Sequence, residues 1–218
     1  MPVITISRQF GAAGVPVGRA LAEKLGFYFL DRAIVAQVAV RSGIPESELE
    51  TYDERLPSFW QRVAEALTTS SPEIALPASV YTDELMHLPT HDRLLAITRS
   101  VIEEAAARGN VVIVGRGAAF ILGGQDGTLH VQLHASLDAR IRYLMSRIED
   151  IPSESSLDER SLRELARSVD TARADYIRGT FNADWLDARH YDVSLDTGRL
   201  GVDGTVDVIL AAVKAAAV

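Results

Sequence analysis

The sequence of 218 residues contains no cysteine, which excludes disulfide bonds and thiolate metal sites. It also has no apolar run near the roughly 20 residues that a membrane-spanning helix needs. The N-terminal stretch MPVITISRQF lacks a basic region followed by a long apolar one, so it is not a secretory signal peptide. We therefore expect a cytoplasmic protein. Hydrophobic residues make up 47% of the chain and charged residues 24%, as in soluble globular proteins, and the length suits one domain.

Lysine is nearly absent as well. Of the 22 basic residues only Lys24 and Lys214 are lysine, and all the others are arginine. The net charge of −8 argues against partners with a dense negative charge, such as nucleic acids and anionic membranes. Any smaller anion that binds here must be held mainly by planar guanidinium groups. We expect small-molecule partners, and no sequence feature indicates an oligomeric state.

Apolar runs of strand length alternate with segments of helical periodicity along the chain, which predicts an α/β fold with a mainly parallel sheet. In such sheets ligands bind beyond the carboxyl ends of the strands. The proline-rich segment 55–91 is the least regular and is typical of a lid, a substrate loop or a disordered segment. The predicted strands cover 3–7, 27–30, 110–117, 128–135 and 191–197, and the predicted helices cover 16–25, 32–42, a stretch from Pro45, 92–107 with Asp92 as its N-cap, 137–149, 158–179 and 203–217.

The stretch SRQFGAAG, residues 7–14, joins the first predicted strand to the first helix. A glycine turn that enters a helix N-terminus aims several backbone N–H groups and the positive end of the helix dipole at one point, which favours phosphate binding. The Walker pattern G-x-x-x-x-G-K-[ST] would place a lysine and a hydroxyl residue here. Instead Gly14 stands in the place of the lysine and Arg8 in that of the first glycine, and no hydroxyl residue follows Gly14. The alternative is a tight strand-to-helix turn whose glycines only permit close packing.

Charged residues follow two other predicted strands. Arg116 in VVIVGRG stands at the end of a buried strand, where its charge is costly unless it is paired or meets an anion. A carboxylate such as Asp31 is the alternative partner. Asp31 closes the second strand, where it can accept a hydrogen bond from a sugar hydroxyl or cap a helix that begins at Arg32.

The segment DERSLRELARSVDTARADYIRG is rich in arginine at helical spacing. Arg160, Arg163 and Arg167 lie on one face of the predicted helix, and Asp170 and Arg173 continue it. Such a face is either solvated or part of a lid that folds over a triphosphate.

The order and spacing of these motifs resemble the cytidylate kinase-like family, over about residues 2–212 and most weakly over 55–91. The resemblance implies a three-layer P-loop NTPase fold of the nucleoside monophosphate kinase type, with a five-stranded parallel sheet in the order 2-3-1-4-5. It implies a single domain over 1–218, with a core of 1–31, 92–150 and 190–218, a substrate-side helical insert at about 32–91 and a lid at about 151–189. The motifs are ISRQFGAAG, ALAEKLGFYFLDRAIV, NVVIVGRG, DARIRYLM, DTARADYIRG and YDVSLDT.

The resemblance also implies an activity, namely transfer of the ATP γ-phosphate to a pyrimidine nucleoside monophosphate such as CMP, with Mg²⁺. The family's S-R-x-x-G-x-G-G pattern is matched by Ser7, Arg8, Gly11 and Gly14, so the resemblance implies that the missing lysine is partly a family habit and that Arg8 is the candidate for its charge. By this resemblance the catalytic residues are Arg8, Arg173 and Asp170, the phosphate-binding residues are Ser7, Gly11, Ala12, Ala13 and Gly14, the acceptor-binding residues are Asp31, Arg32 and Arg116, and Ser7 is a candidate contact of the metal. Closure of the lid is expected to bring in Arg173.

Two residues depart from the family pattern. Ala13 stands where glycine is usual, at a cost of about 1 kcal/mol or more if the position needs a positive φ. Pro16 removes one N–H from the anion-binding turn. Two other functions stay open: a weak or inactive relative that binds a nucleotide as a sensor, and a dinucleotide-dependent oxidoreductase. For the latter, GAAGVPVG would be the glycine-rich turn and Asp31 the ribose-binding acid, although no Tyr-x-x-x-Lys pair is present.

Overall fold

The computed structural model describes residues 2–31, 90–148 and 158–216. The predicted helices at 32–42 and from Pro45, the segment 55–89 and the candidate Arg32 lie outside these ranges. No helix within the ranges is long and apolar enough to cross a membrane. The predicted alternation of strands and helices is confirmed, and two short elements, α3 and a 3-10 turn, are present that the sequence did not predict. The order is β1 (Val3–Arg8), α1 (Gly14–Leu25), β2 (Tyr28–Leu30), α2 (Thr90–Arg108), β3 (Val111–Val114), α3 (Ala118–Ile121), β4 (Thr128–His134), α4 (Leu137–Ile148), α5 (Glu159–Phe181), the 3-10 turn (Ala188–His190), β5 (Val193–Asp196) and α6 (Thr197–Ala215).

The five strands form one parallel sheet in the order β2-β3-β1-β4-β5, which confirms the order implied by the resemblance. The central strand β1 pairs with β3 on one side, where Ile6 is opposite Val114, and with β4 on the other, where Arg8 is opposite Leu133. The carboxyl ends of β1, β3 and β4 therefore meet at one edge of the sheet. A dinucleotide-binding sheet instead places β1 beside β2, so the order departs from that of the oxidoreductase alternative.

Helices cover both faces of this sheet, because successive side chains of a strand point to opposite faces. Ile4 and Ile6 of β1 pack into one core cluster with residues of α1 and α6. Val3 packs on the other face with residues of α2 and α3. The molecule therefore has the expected three layers.

Some element boundaries differ from the sequence prediction. The helix predicted to start with Asp92 as its N-cap begins at Thr90, so Asp92 lies in its first turn and that capping prediction is wrong. An acidic side chain is favourable at both positions because each is close to the positive end of the helix dipole, and the sequence alone does not distinguish them. The last helix begins at Thr197 rather than 203, and a kink at Gly201 (φ 67°) separates its first turn from the part that the periodicity predicted.

Strand β3 ends earlier than predicted because the next three residues all have left-handed backbone conformations. The φ angles are 85° at Gly115, 54° at Arg116 and 70° at Gly117, which no strand accommodates. The result is a tight turn at the carboxyl edge of the sheet, closed by a hydrogen bond from the Ala118 N–H to the Gly115 carbonyl at 3.0 Å.

Helix α5 is packed against the body of the protein along much of its length. Its N-cap is Asp158, whose carboxylate accepts from the Ser161 N–H at 2.8 Å. At its far end the ring of Phe181 lies so close to Gly117 that a Cβ there would be 2.8 Å from it. This packing places the middle of α5 beside the loop between β1 and α1. The buried side chains of α5 are Leu162, Leu165, Ala166, Val169 and Ile177.

Candidate functional site

The backbone N–H groups of the loop between β1 and α1 fall into two sets: those that donate to a protein acceptor, and those that have no acceptor within the described ranges. The Gln9 N–H donates to the Leu133 carbonyl at 3.0 Å, and the Ala12 N–H donates to the Gln9 carbonyl at 3.2 Å. The Phe10 N–H donates to the Asp170 carboxylate at 2.8 Å. The second set has no hydrogen-bond acceptor within the described ranges and lies at the N-terminus of α1, as an anion-binding turn requires. It consists of the N–H groups of Gly11, Ala13, Gly14 and Val15.

Ala13, which stands where the family usually has glycine, has a left-handed backbone conformation. It is the N-cap of α1 with φ 52° and ψ 26°, in the left-handed region. The position therefore does need a positive φ, and alanine there costs about 1 kcal/mol or more relative to a residue without a Cβ. Pro16 lies in the first turn of α1, where its ring fits the helix, so it removes a donor without breaking the helix.

The side chain of Arg8 lies along the edge of the sheet between the loop and the β3 turn. A Cβ on Gly14 would be 2.6 Å from the Cγ of Arg8, and a Cβ on Gly115 would be 2.2 Å from a terminal nitrogen of its guanidinium. Arg8 is half-buried. The guanidinium therefore crosses from the end of β1 to the end of β3, next to the turn that carries Arg116, rather than extending into water.

Arg173 and Asp170 approach the same loop from α5. The guanidinium of Arg173 donates to the backbone carbonyl of Arg8 at 3.0 Å and lies 3.5 Å from the Asp170 carboxylate. The expected lid closure is thus not what brings Arg173 to the loop in this structure. The two oxygens of Asp170 are taken up by protein donors, one by the Phe10 N–H and the other by the guanidinium of Arg140 at 2.5 Å. Asp170 accordingly lies behind the loop and holds its backbone.

Arg140 on α4 is a site residue that the sequence reasoning missed. Its side chain is only 8% exposed, and its guanidinium also donates to the Phe10 carbonyl at 3.1 Å. A signal was present in the sequence, because Arg140 occupies the apolar stripe of α4 together with the buried Ile141 and Leu144. An arginine on the buried face of a helix is rare unless it is paired.

Ser7 takes part in a second network that the sequence reasoning did not anticipate. Its hydroxyl oxygen accepts from the indole N–H of Trp185 at 2.7 Å and lies 3.2 Å from the Tyr191 hydroxyl. That hydroxyl donates to the Trp185 carbonyl at 2.9 Å. Burial raises the pKa of Tyr191 to about 12, so the phenol is neutral at ordinary pH. The Ser7 hydroxyl is therefore already in contact with two protein groups, the indole of Trp185 and the phenol of Tyr191.

Asp31 lies at the end of β2, separated from β1 by β3. It is 5% exposed, and its carboxylate is 4.0 Å from the guanidinium of Arg19. Arg19 also stacks over the ring of Phe29, 5.0 Å from its centroid. Asp31 therefore lies at the carboxyl edge of the sheet near the turn that carries Arg116. The loop between β1 and α1 and the side chain of Arg173 lie at the end of β1.

The other arginines of α5 behave as a solvated face. Arg160 pairs with Glu164 at 3.1 Å and is 86% exposed. Arg163 pairs with Glu159 at 2.6 Å and with Asp138 of α4 at 2.7 Å. Exposed pairs of this kind contribute little to stability. The arginines of α5 therefore differ: Arg160 and Arg163 form surface ion pairs, whereas Arg173 contacts the loop between β1 and α1.

A cavity of about 270 Å³ lies elsewhere in the fold. Its lining includes Phe120, His130 and Tyr191 but none of the loop residues or site arginines. Burial lowers the pKa of His130, whose ring nitrogen lies 2.7 Å from the hydroxyl of Thr5, and the neighbouring Asp192 partly opposes that shift. Within the described part of the chain no cluster of three or more histidine or acidic side chains could hold a metal ion.

Comparison with known proteins identifies the family and the fold. A model of the cytidylate kinase-like family matches residues 3–199. A cytidylate kinase from Methanothrix thermoacetophila is 27% identical over 214 residues, which cover 98% of each chain. A cytidylate kinase from Methanoculleus marisnigri is 28% identical over 125 residues, which cover 57% of this chain and 63% of that protein's length. The solved structure of shikimate kinase from Bacteroides thetaiotaomicron covers 98% of each chain with a TM-score of 0.54 at 16% identity. The chain therefore has a P-loop kinase fold and belongs to the cytidylate kinase-like family.

Proposed function

We propose that this protein transfers the γ-phosphate of ATP to a pyrimidine nucleoside monophosphate, with CMP as the first candidate. The observation that carries the proposal is the position of the Arg8 guanidinium. It lies against Gly115, between the loop with its available N–H groups and the turn that carries Arg116. A phosphoryl group that moves from a donor at the loop to an acceptor at that turn would pass this cation. The choice of CMP follows the names of the two relatives, both of which are called cytidylate kinase.

Phosphoryl transfer asks the protein mainly for positioning and for neutralisation of charge. The N–H groups of Gly11, Ala13, Gly14 and Val15, at the N-terminus of α1, would cradle the β-phosphate of the donor, whereas that of Ala12 is taken up by the Gln9 carbonyl. Arg8 would neutralise the moving phosphoryl group, and Arg173, already hydrogen-bonded to the Arg8 carbonyl, would join it from α5. Lys24 does not serve here, because it is exposed on α1 and pairs with Asp207 at 3.3 Å. In this proposal guanidinium groups supply the positive charge that the lysine of the Walker pattern would supply.

Arg116 would hold the acceptor phosphate. It keeps a left-handed φ of 54° between two glycines, a conformation that is unfavourable for a residue with a Cβ. Strain of this kind persists where the surroundings enforce it and often marks a functional site. Asp31 at the neighbouring strand end would face the acceptor side, and Arg32, outside the described ranges, is assigned to the same side by the family resemblance alone.

The residues that the structure describes do not form a magnesium site of their own. Ser7 already accepts the Trp185 N–H, and both oxygens of Asp170 are engaged by the loop and by Arg140. Mg²⁺ in kinases keeps several of its waters and is bound by substrate phosphates together with one or two carboxylates. We therefore assign no protein ligand beyond the candidate Ser7, and we derive no step of the reaction through the ion. ATP and the monophosphate would be the small-molecule partners, and the cytoplasm, where both occur, the place of action.

The test is to incubate the purified protein with ATP, Mg²⁺ and each nucleoside monophosphate in turn and to measure ADP formation. We expect ADP formation that depends on a pyrimidine monophosphate. Arg8→Ala should lower kcat by about 100-fold or more, as expected when a group that stabilises transition-state charge is removed. Arg160→Ala is the matched control, because it removes an exposed arginine far from the loop, and it should change neither kcat nor Tm. Nucleotide binding without ADP formation would instead identify an inactive nucleotide-binding relative.

A further inference from the structure

The peptide groups on both sides of Phe10 are held by one buried ion pair. The N–H of Phe10 donates to one oxygen of Asp170, and the carbonyl of Phe10 accepts from Arg140. Arg140 and Asp170 bond to each other through the same guanidinium nitrogen that holds the carbonyl. A closed ring of hydrogen bonds thus joins the loop to α4 and α5.

This ring determines where neighbouring N–H groups point. The peptide bond is planar and trans, so its N–H points away from its own carbonyl. Because Arg140 holds the Phe10 carbonyl, the Gly11 N–H in the same peptide group must point away from Arg140. Because Asp170 holds the Phe10 N–H, the Gln9 carbonyl points the other way, and there it accepts from the Ala12 N–H at 3.2 Å.

The ion pair is a poor device for stability alone. Arg140 and Asp170 are largely buried, with side chains 8% and 15% exposed. The Nε of Arg140 is buried and has no hydrogen-bond partner within the described ranges. A well-packed apolar pair usually stabilises a protein as well as or better than a buried ion pair. The ion pair between Arg140 and Asp170 is therefore better explained by the backbone groups of the loop that it orients than by the stability that it adds.

We propose that Arg140 is a positioning residue which, through its ion pair with Asp170, sets the backbone of the phosphate loop before a nucleotide binds. Arg173 completes the clamp by holding the Arg8 carbonyl. The three side chains come from α4 and α5, so the competence of the loop depends on the packing of these two helices. The inference rests on the proposed function in that the bound anion is taken to be the polyphosphate of ATP.

The experiment compares Arg140→Met, Asp170→Leu and the double variant by urea unfolding and by ATP titration in a calorimeter. Asp170→Leu leaves the buried Arg140 without a carboxylate, and Arg140→Met leaves Asp170 with the longer contact to Arg173 at 3.5 Å, so each single substitution should lower stability. The double variant should regain most of that stability. Its Kd for ATP should nevertheless remain about tenfold or more weaker than that of the unmodified protein, because displaced binding groups lose their alignment. If ATP affinity returns together with stability, the ion pair is only structural and the inference is overturned.

The chain offers a matched control on the same two helices. Asp138 of α4 and Arg163 of α5 form an exposed ion pair at 2.7 Å. The double substitution Asp138→Asn and Arg163→Gln should leave both stability and the Kd for ATP unchanged. An equal loss of affinity in this control would show that any change between α4 and α5 disturbs the loop, which would overturn a specific role of Arg140.

Amide hydrogen exchange without nucleotide separates this inference from the proposed function. The Ala12 N–H is the reporter, because its acceptor is the Gln9 carbonyl and neither substituted side chain bonds to it. Its exchange should speed up at least tenfold in the Arg140→Met and Asp170→Leu double variant, while N–H groups of β1 keep their protection. Unchanged exchange at Ala12 overturns the clamp. Failure of the unmodified protein to bind ATP overturns the proposed function, and the clamp is then decided by exchange alone.

Discussion

Replacing Gly14 by alanine should slow phosphoryl transfer while leaving the protein folded. Gly14 is the first residue of α1 and has no left-handed conformation to lose. An added Cβ would lie 2.6 Å from the Cγ of Arg8, whereas carbon atoms in contact are about 3.5 to 4.0 Å apart. The stem of Arg8 must therefore withdraw by about 1 Å, and the guanidinium must move with it.

The expected magnitude follows from this displacement. A shift of about 1 Å in a group that positions or neutralises the reacting atoms costs up to about 100-fold in rate, so kcat should fall by about 10- to 100-fold. Stability should change by less than about 1 kcal/mol, because alanine is favoured over glycine in a helix by up to about that amount and offsets the displaced side chain.

The assay is steady-state ADP formation with ATP and CMP varied independently, with Tm measured on the same samples. A double-mutant cycle isolates the cause, since Gly14→Ala should add little further loss in an Arg8→Ala background. An unchanged kcat at unchanged Tm would refute the placement of Arg8 at the transferred phosphate. Losses that multiply in the double variant would show that the new methyl group acts on the nucleotide directly and not through Arg8.

Three further predictions concern the strained turns and the buried phenol. Ala13→Gly should raise the free energy of unfolding by about 0.5 kcal/mol, since relief of left-handed strain exceeds the added chain entropy of glycine; urea unfolding measures this, and a large loss of ATP affinity would contradict our account of the loop. Arg116→Gly should raise KM for the monophosphate about tenfold or more with no change in the Kd for ATP. An equal loss of affinity for ATP would show that Arg116 does not act specifically on the acceptor phosphate. Because burial raises the pKa of Tyr191 from its ordinary value of 10 to about 12, the folded state holds the phenol proton more tightly than the unfolded chain. Stability should be fully present below pH 10 and fall as the pH rises towards about 12, and urea unfolding of Tyr191→Phe over that range should show a shallower fall.

Local patterning was enough to predict the five strands and the long helices of the described fold, but not the short helix α3 or the 3-10 turn. Buried parallel strands read as short β-branched runs, and the helices carry an apolar stripe, so both signals are contained in neighbouring residues. The family resemblance supplied the strand order. Boundaries were missed where two local solutions are equally good, as at Asp92, or where a left-handed turn ends a strand early, as at Gly115 to Gly117.

The candidate site could be predicted in part. Arg8 and the glycine turn are adjacent in the chain, so their association is visible in the sequence. Arg163 and Arg173 look alike there, since both are arginines at helical spacing on one helix. Packing separates them: the guanidinium of Arg163 ends in a surface ion pair, whereas that of Arg173 ends on the backbone of Arg8.

The sequence by itself determined the layered α/β architecture, the glycine turn that enters the first helix and the near absence of lysine. Tertiary structure alone decided that Arg140 and Asp170 close on Phe10, and that Trp185 and Tyr191 engage Ser7. The physical reason is distance along the chain. Each of these hydrogen bonds to the first strand and its loop joins residues more than a hundred positions apart, and whether such side chains meet depends on how the helices pack.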